Sequence, residues 1–189
     1  MPMYMDVHYR VEGLTAKDIA ESHRLDLAMA DRHGVRWLNY WFDESTGKVF
    51  CLCEAPSAEA EENCHRQAHG LIADEIIEVS EYGDDADAGH GPLCMDMHFR
   101  VEGLKPEEIV EAIKFHVEAG AKHGVQWLKA WYDARSGRLF CLSQSPTTDA
   151  HVAVHGEAGL IVDEITQVTE GVPRGDHPEP PRPSSQGPR

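Results

Sequence analysis

Histidine is the residue type in this 189-residue chain that could do chemistry: there are twelve, and several recur at fixed spacings. Glu61, His65 and His69 stand at i, i+4 and i+8, so on a helix all three project along one row. His151 and His155 repeat the one-turn spacing. Two imidazoles a turn apart can converge on one first-row divalent ion, because such ions favour a few neutral nitrogen and anionic oxygen ligands. A second pattern is the alternating segment Met5-Asp6-Val7-His8-Tyr9-Arg10, matched by Met95-Asp96-Met97-His98-Phe99-Arg100. Carboxylate and imidazole two residues apart on a strand share a face. They can meet one ion, or one can orient the other for proton transfer. Each pattern also has a structural reading: a helix edge that tolerates histidine, or a hydrogen-bonded interface pair.

The patterns recur because the chain repeats itself at an offset of about 90 residues, the length of a small folded unit rather than a solenoid repeat. His33-Gly34-Val35-Arg36-Trp37-Leu38 returns as His123-Gly124-Val125-Gln126-Trp127-Leu128, and Phe50-Cys51-Leu52 as Phe140-Cys141-Leu142. A helix row survives in both copies, although a one-residue deletion removes the counterpart of His69. Trp37, Trp41, Trp127 and Trp131 fall in aromatic-rich segments that read as strands.

Each copy reads strand, helix, strand, strand, helix, strand. The first helix runs from the cap at Thr15, or from Pro106, to the glycine after His33 or His123. This order predicts an α+β fold of two tandem ferredoxin-like βαββαβ units, residues 3–82 and 93–171, paired as an intrachain pseudo-dimer in an α/β sandwich or barrel. Residues 83–92 read as an acidic, glycine-rich linker and 172–189 as a disordered Pro-rich tail. If Met5 and Val7 pack on the helices, Asp6 and His8 face the partner sheet. Asp6, Asp96 and the four tryptophans would then line a pocket between the sheets.

A formal charge of −16, from 33 acidic and 17 basic residues, repels phosphate backbones and attracts cations, which speaks against nucleic-acid binding. No apolar run approaches a membrane span, so the expectation is a cytoplasmic chain that acts as a monomer. The five cysteines are odd in number and lack CxxC spacing, which indicates neither a disulfide framework nor a zinc knuckle. No phosphate loop, nucleophile elbow or H-E-x-x-H signature is present.

The His-Gly-Val-Arg-Trp-Leu string, the Asp43–Leu52 hairpin and Cys64-His65-Arg66-Gln67-Ala68-His69-Gly70-Leu71-Ile72-Ala73-Asp74-Glu75-Ile76 resemble the nickel-binding-protein-like family, formerly a domain of unknown function. The resemblance covers both copies and implies ferredoxin-like units that pair as dimers, with nickel bound and sequestered rather than transformed. His65-x-x-x-His69 fits the family pattern; the second copy departs there.

The expected function is therefore non-catalytic sequestration of nickel or a similar divalent ion, with His8, Glu61, His65, His69, His98, His151 and His155 as candidate ligands. The alternative is a small-molecule sensor or enzyme that uses the inter-sheet pocket. Because the helix row holds three candidate ligands in the first copy and two in the second, the ligand count predicts tighter binding in the first half.

Overall fold

The computed structural model describes residues 1–83, 91–101, 103–159 and 161–171. Most of the expected linker (84–90) and all of the expected tail (172–189) lie outside the described residues. The first half comprises β1 (Met3–His8), α1 (Ala16–His33), β2 (Arg36–Asp43), β3 (Lys48–Glu54), α2 (Ala58–Ala68) and β4 (Glu75–Tyr82). The second repeats the order as β5 (Leu93–His98), α3 (Pro106–His123), β6 (Gln126–Asp133), β7 (Arg138–Gln144), α4 (Thr148–Ala158) and β8 (Glu164–Gly171).

Local chemistry sets these boundaries. Thr15 caps α1 through the Asp18 amide while the Asp18 side chain accepts from the Thr15 amide. Gly34 and Gly124 close α1 and α3 at φ 68°, a conformation that a side chain would strain. Ser57 and Thr147 cap α2 and α4. At the β2–β3 turn a Cβ on Gly47 would sit 2.3 Å from the Val11 carbonyl oxygen, so only glycine allows the close approach.

Of the sandwich and the barrel that the pattern allows, the barrel forms. The four strands of each half are antiparallel neighbours in the orders β4-β1-β3-β2 and β6-β7-β5-β8, and β2–β8 and β4–β6 pairing joins them into one closed eight-stranded barrel. Closure leaves no open sheet edge. Every strand sends residues inward: Met5, Val7, Trp41, Phe50, Ile77, Met95, Met97, Leu128, Trp131, Phe140 and Val168 belong to one buried cluster. Across the pseudo-two-fold, Trp41 meets Trp131 at 5.2 Å and Phe50 meets Phe140 at 6.4 Å between ring centroids.

This corrects the assignment of strand faces. Met5 and Val7 fill the barrel, whereas Asp6 and His8 lie on the outer side, under the helices, as do Asp96 and His98. A closed barrel has room inside for one layer of apolar side chains and no water to solvate a carboxylate. The tryptophans also divide. The register shifts between Trp37 and Asn39, and between Trp127 and Lys129, and a bulge breaks strict alternation. Trp41 and Trp131 therefore point inward, while Trp37 and Trp127 pack on the helix side.

Phe50, fully buried at the barrel centre, tests the packing. Phe50→Ala should cost about 3–5 kcal/mol in denaturant unfolding. Val117→Ala, at a side chain 48% exposed on α3, should stay within about 0.5 kcal/mol. Similar losses for the two variants would contradict the barrel core.

Candidate metal centres

Three elements build the first cluster. β1 brings Asp6 and His8 to its outer face. The buried stripe of α1 is Ile19, His23, Asp26 and Ala30, with two polar residues at its centre. The buried residues of α2 are Glu61, Cys64 and His65. Where they meet, His65 is held from both sides: Nε2 lies 3.0 Å from Asp6 Oδ2 and Nδ1 2.9 Å from Asp26 Oδ1. His69 Nε2 lies 3.0 Å from the same Asp26 oxygen and 3.2 Å from His65 Nδ1. His8 Nε2 is 3.7 Å from Asp6 Oδ1. Two groups, Asp6/His8/His65 and Asp26/His65/His69, thus have ligand atoms close enough to share an ion.

Charges in this cluster largely neutralise one another. Burial alone would depress the His65 imidazole, but hydrogen bonding to Asp26 and Asp6 overcomes it and lifts the group to about 10. Burial opposes ionisation of Asp6, yet the bond to His65 wins and holds the carboxyl at about 2. Asp26 is lowered in the same way, against its burial. Glu61 behaves differently. Burial and repulsion from Asp6 push it well above the carboxylate range, and neither of its oxygens has a hydrogen-bond partner.

The second cluster uses the same scaffold with other residues. His151 Nε2 lies 2.8 Å from Asp96 Oδ2, and His155 Nε2 lies 3.6 Å from the same oxygen. His98 Nε2 is 3.2 Å from Asp96 Oδ1 but not aligned for a hydrogen bond. Backbone carbonyls occupy the opposite nitrogen of three rings: Ile161 for His98, Ala112 for His116 and His151 for His155. Such a contact fixes a ring so that its other nitrogen can serve as a ligand. Asp96 Oδ1, His98 Nε2, His116 Nε2 and His155 Nε2 are all buried without a hydrogen-bond partner. Burial raises Asp96, but the His151 bond outweighs it and the carboxyl stays well below its ordinary range. Cys141 flanks Asp96 and His98, with a thiol that burial pushes well up and that stays protonated.

The structure thus brings together His8, His65 and His69 in one half and His98, His151 and His155 in the other. Glu61 is on the expected helix row but belongs to none of the candidate ligand groups among the described residues. Asp6 and Asp96 join the clusters and do not line the barrel interior. The inward pair Trp41 and Trp131 floors a cavity of about 430 Å³ at the barrel mouth, to which Trp37 and Trp127 do not contribute. From sequence the exchange of Asp26 for His116 reads as packing variation and Cys141 as a small buried hydrophobe, whereas all three lie at the clusters. His116 stands at the repeat position of Asp26, so a polar group kept on an otherwise apolar stripe was the available signal. The ligand count evens out: each half offers three imidazoles to its candidate groups, His8, His65 and His69 in the first and His98, His151 and His155 in the second, with two carboxylates in the first against one carboxylate and one thiol in the second.

Fold and site define a class: an α+β barrel of two similar halves, each with a histidine–carboxylate cluster buried between sheet and helices. The model of the nickel responsive protein SCO4226-like family matches residues 4–79 and 95–168, and the chain belongs to that family. Among solved structures, the chain is similar to SCO4226 from Streptomyces coelicolor A3(2), at 40% identity over 41% of this chain and 94% of that one, with a TM-score of 0.39. Chlorite dismutase from Candidatus Nitrospira defluvii, in complex with imidazole, matches at 7% identity over 89% of each chain, with a TM-score of 0.52. A mutant of that enzyme matches at 7% identity over 89% of this chain and 90% of that one, at 0.51. The two dismutase matches show a shared fold alone. No curated protein matches the chain. No helix among the described residues is long and apolar enough to cross a membrane.

The His65 network makes stability depend on pH. His65 titrates at about 10 in the fold against an ordinary 6.5, so its pairing stabilises fully below about pH 6.5 and is lost as pH rises through 10. Asp6, at about 2 against 3.8, contributes above about pH 3.8 and loses its contribution as pH falls through 2. The melting temperature of metal-free protein should fall between pH 7 and 10, and His65→Gln should flatten that limb. An unchanged limb in the variant would contradict the network.

Proposed function

We propose that the chain binds nickel or a similar divalent first-row ion as cargo, without transforming it, and that the second half holds the tighter site. The observation behind this reading is that ligand atoms of Asp96, His98 and His155 are buried without a hydrogen-bond partner, whereas the ring nitrogens of His65 and His69 in the first half are already held by Asp6 and Asp26. A buried imidazole nitrogen without a partner costs free energy in any fold, and several around one carboxylate are best satisfied by a cation. Mixed nitrogen and oxygen ligation suits nickel, zinc or cobalt and not calcium or magnesium. The family membership supports a nickel-related role, and the −16 charge favours cation capture at long range.

The first half fits an ion less readily. His65 already serves there as the cation between Asp6 and Asp26, so a metal must displace a proton from it. The tandem halves then amount to a fused dimer of ferredoxin-like units whose two sites have diverged, in a chain that we place in the cytoplasm as a monomer.

Calorimetric titration of metal-free protein with nickel tests the assignment. The combined substitution His98→Ala/His155→Ala should weaken the tightest site at least roughly tenfold, while His69→Ala leaves it within about twofold. The opposite ranking would overturn it, as would an affinity no tighter than millimolar in the unsubstituted protein.

A further inference from the structure

The two halves differ in empty space as well as in ligands. Between β1, β3 and α1 of the first half lies a partly enclosed cavity of about 140 Å³, whose floor includes His23, Asp26 and His65 and whose mouth is rimmed by the exposed Glu12 and Asp18. The equivalent space in the second half is about 20 Å³ and almost wholly apolar. The lining differs at three α1/α3 positions, Ser22 for Ala112, His23 for Ile113 and Asp26 for His116, and by the missing counterpart of His69. Ile113 fills the second half with hydrocarbon. His23 instead packs against Tyr40 with the rings tilted by 36° and their centroids 4.4 Å apart, and its Nε2 is buried without a hydrogen-bond partner.

We infer that this first-half cavity is a binding site for a small organic cation, a primary amine of about five to eight non-hydrogen atoms with a branched or cyclic apolar part. Size sets the upper limit, since an apolar cavity of about 150 Å³ holds a molecule as large as benzene. Chemistry sets the rest. The apolar walls are Leu14, Ile19 and Val49, and the carboxylates of Glu12, Asp18 and Asp26 face the space with no lysine or arginine among the residues around it. Apolar walls with a few convergent polar groups are the usual form of a small-molecule site. Asp26 is already paired with His65 and His69, so the selection for a positive head group and against an anionic one rests on Glu12 and Asp18 at the mouth.

The cavity shares Asp26, His65 and His69 with a candidate ligand group, so its test uses metal-free full-length protein. Methyl NMR would follow Leu14, Ile19 and Val49 during titration with 3-methylbutylamine, with 3-methylbutanol and 3-methylbutanoate as neutral and anionic analogues. The amine should shift these methyls saturably, with a Kd near about 1 mM, the range open to six heavy atoms. The alcohol should bind at least roughly fivefold more weakly and the carboxylate not at all. His23→Ile, which installs the second half's residue, should abolish the amine response while the nickel affinity of the Asp96 cluster stays unchanged. Equal or tighter binding of the carboxylate would overturn the inference, as would absence of saturation with the amine or an undiminished response in His23→Ile. Loss of nickel binding in the unsubstituted protein would refute the metal assignment and leave this site standing.

Discussion

Closure of the barrel is the constraint on which the other features depend. β2 pairs with β8 through Tyr40–Phe42 against Thr169–Gly171, and β4 pairs with β6 through Ser80–Tyr82 against Ala130–Tyr132. Neither half can satisfy its outer strands or cover its inner face without the other. Once the inner faces are committed to one apolar filling, alternation sends the polar residues of β1 and β5 outward, beneath the helices. There Asp6 and Asp96, almost wholly inaccessible to water, must find partners, and these come from the covering helices and from His8 and His98 on the same strands. A carboxylate in that position is tolerable when it is hydrogen-bonded or paired. The histidine clusters are the partners that the helices supply.

From that common scaffold the halves solve the problem differently. The first spends two carboxylates on one imidazole, Asp6 and Asp26 on His65, and closes its charges internally. The second replaces Asp26 with His116 and Glu61 with His151, which removes two acids, while Ile113 for His23 and the missing counterpart of His69 keep the number of imidazoles at four. The result is four rings around a single buried carboxylate, each with a nitrogen that has no hydrogen-bond partner. Ion pairs tie the two halves across the barrel in matching fashion, Lys48 to Glu164 and Arg138 to Glu75, with the cations over the rings of Tyr9 and Phe99. Architecture has stayed nearly symmetric while the buried polar residues have not.

Much of this was readable in the sequence. The repeat, the strand and helix order, the Thr15 cap and the terminating Gly34 and Gly124 follow from short-range rules that tertiary context did not override. The alternation Met5-Asp6-Val7-His8 was also legible, but periodicity identifies two faces without saying which one a neighbour covers. That depended on the barrel, a long-range feature. The bulges before Asn39 and Lys129 were invisible for a related reason: nothing in Trp37-Leu38-Asn39 marks one extra residue. His65 and His69 could be recognised as a pair by helical spacing. Asp26, which lies on another helix and accepts from both, could not.

The proposed metal site is the set of ligand atoms around Asp96. Anomalous diffraction at the nickel edge from crystals of nickel-loaded full-length protein tests it most directly. The strongest anomalous peak is expected between β5 and α4, within bonding distance of Asp96 and His155, with weaker density or none beside Asp6 and His65. A dominant peak at the first-half cluster, or at surface residues alone, would contradict it.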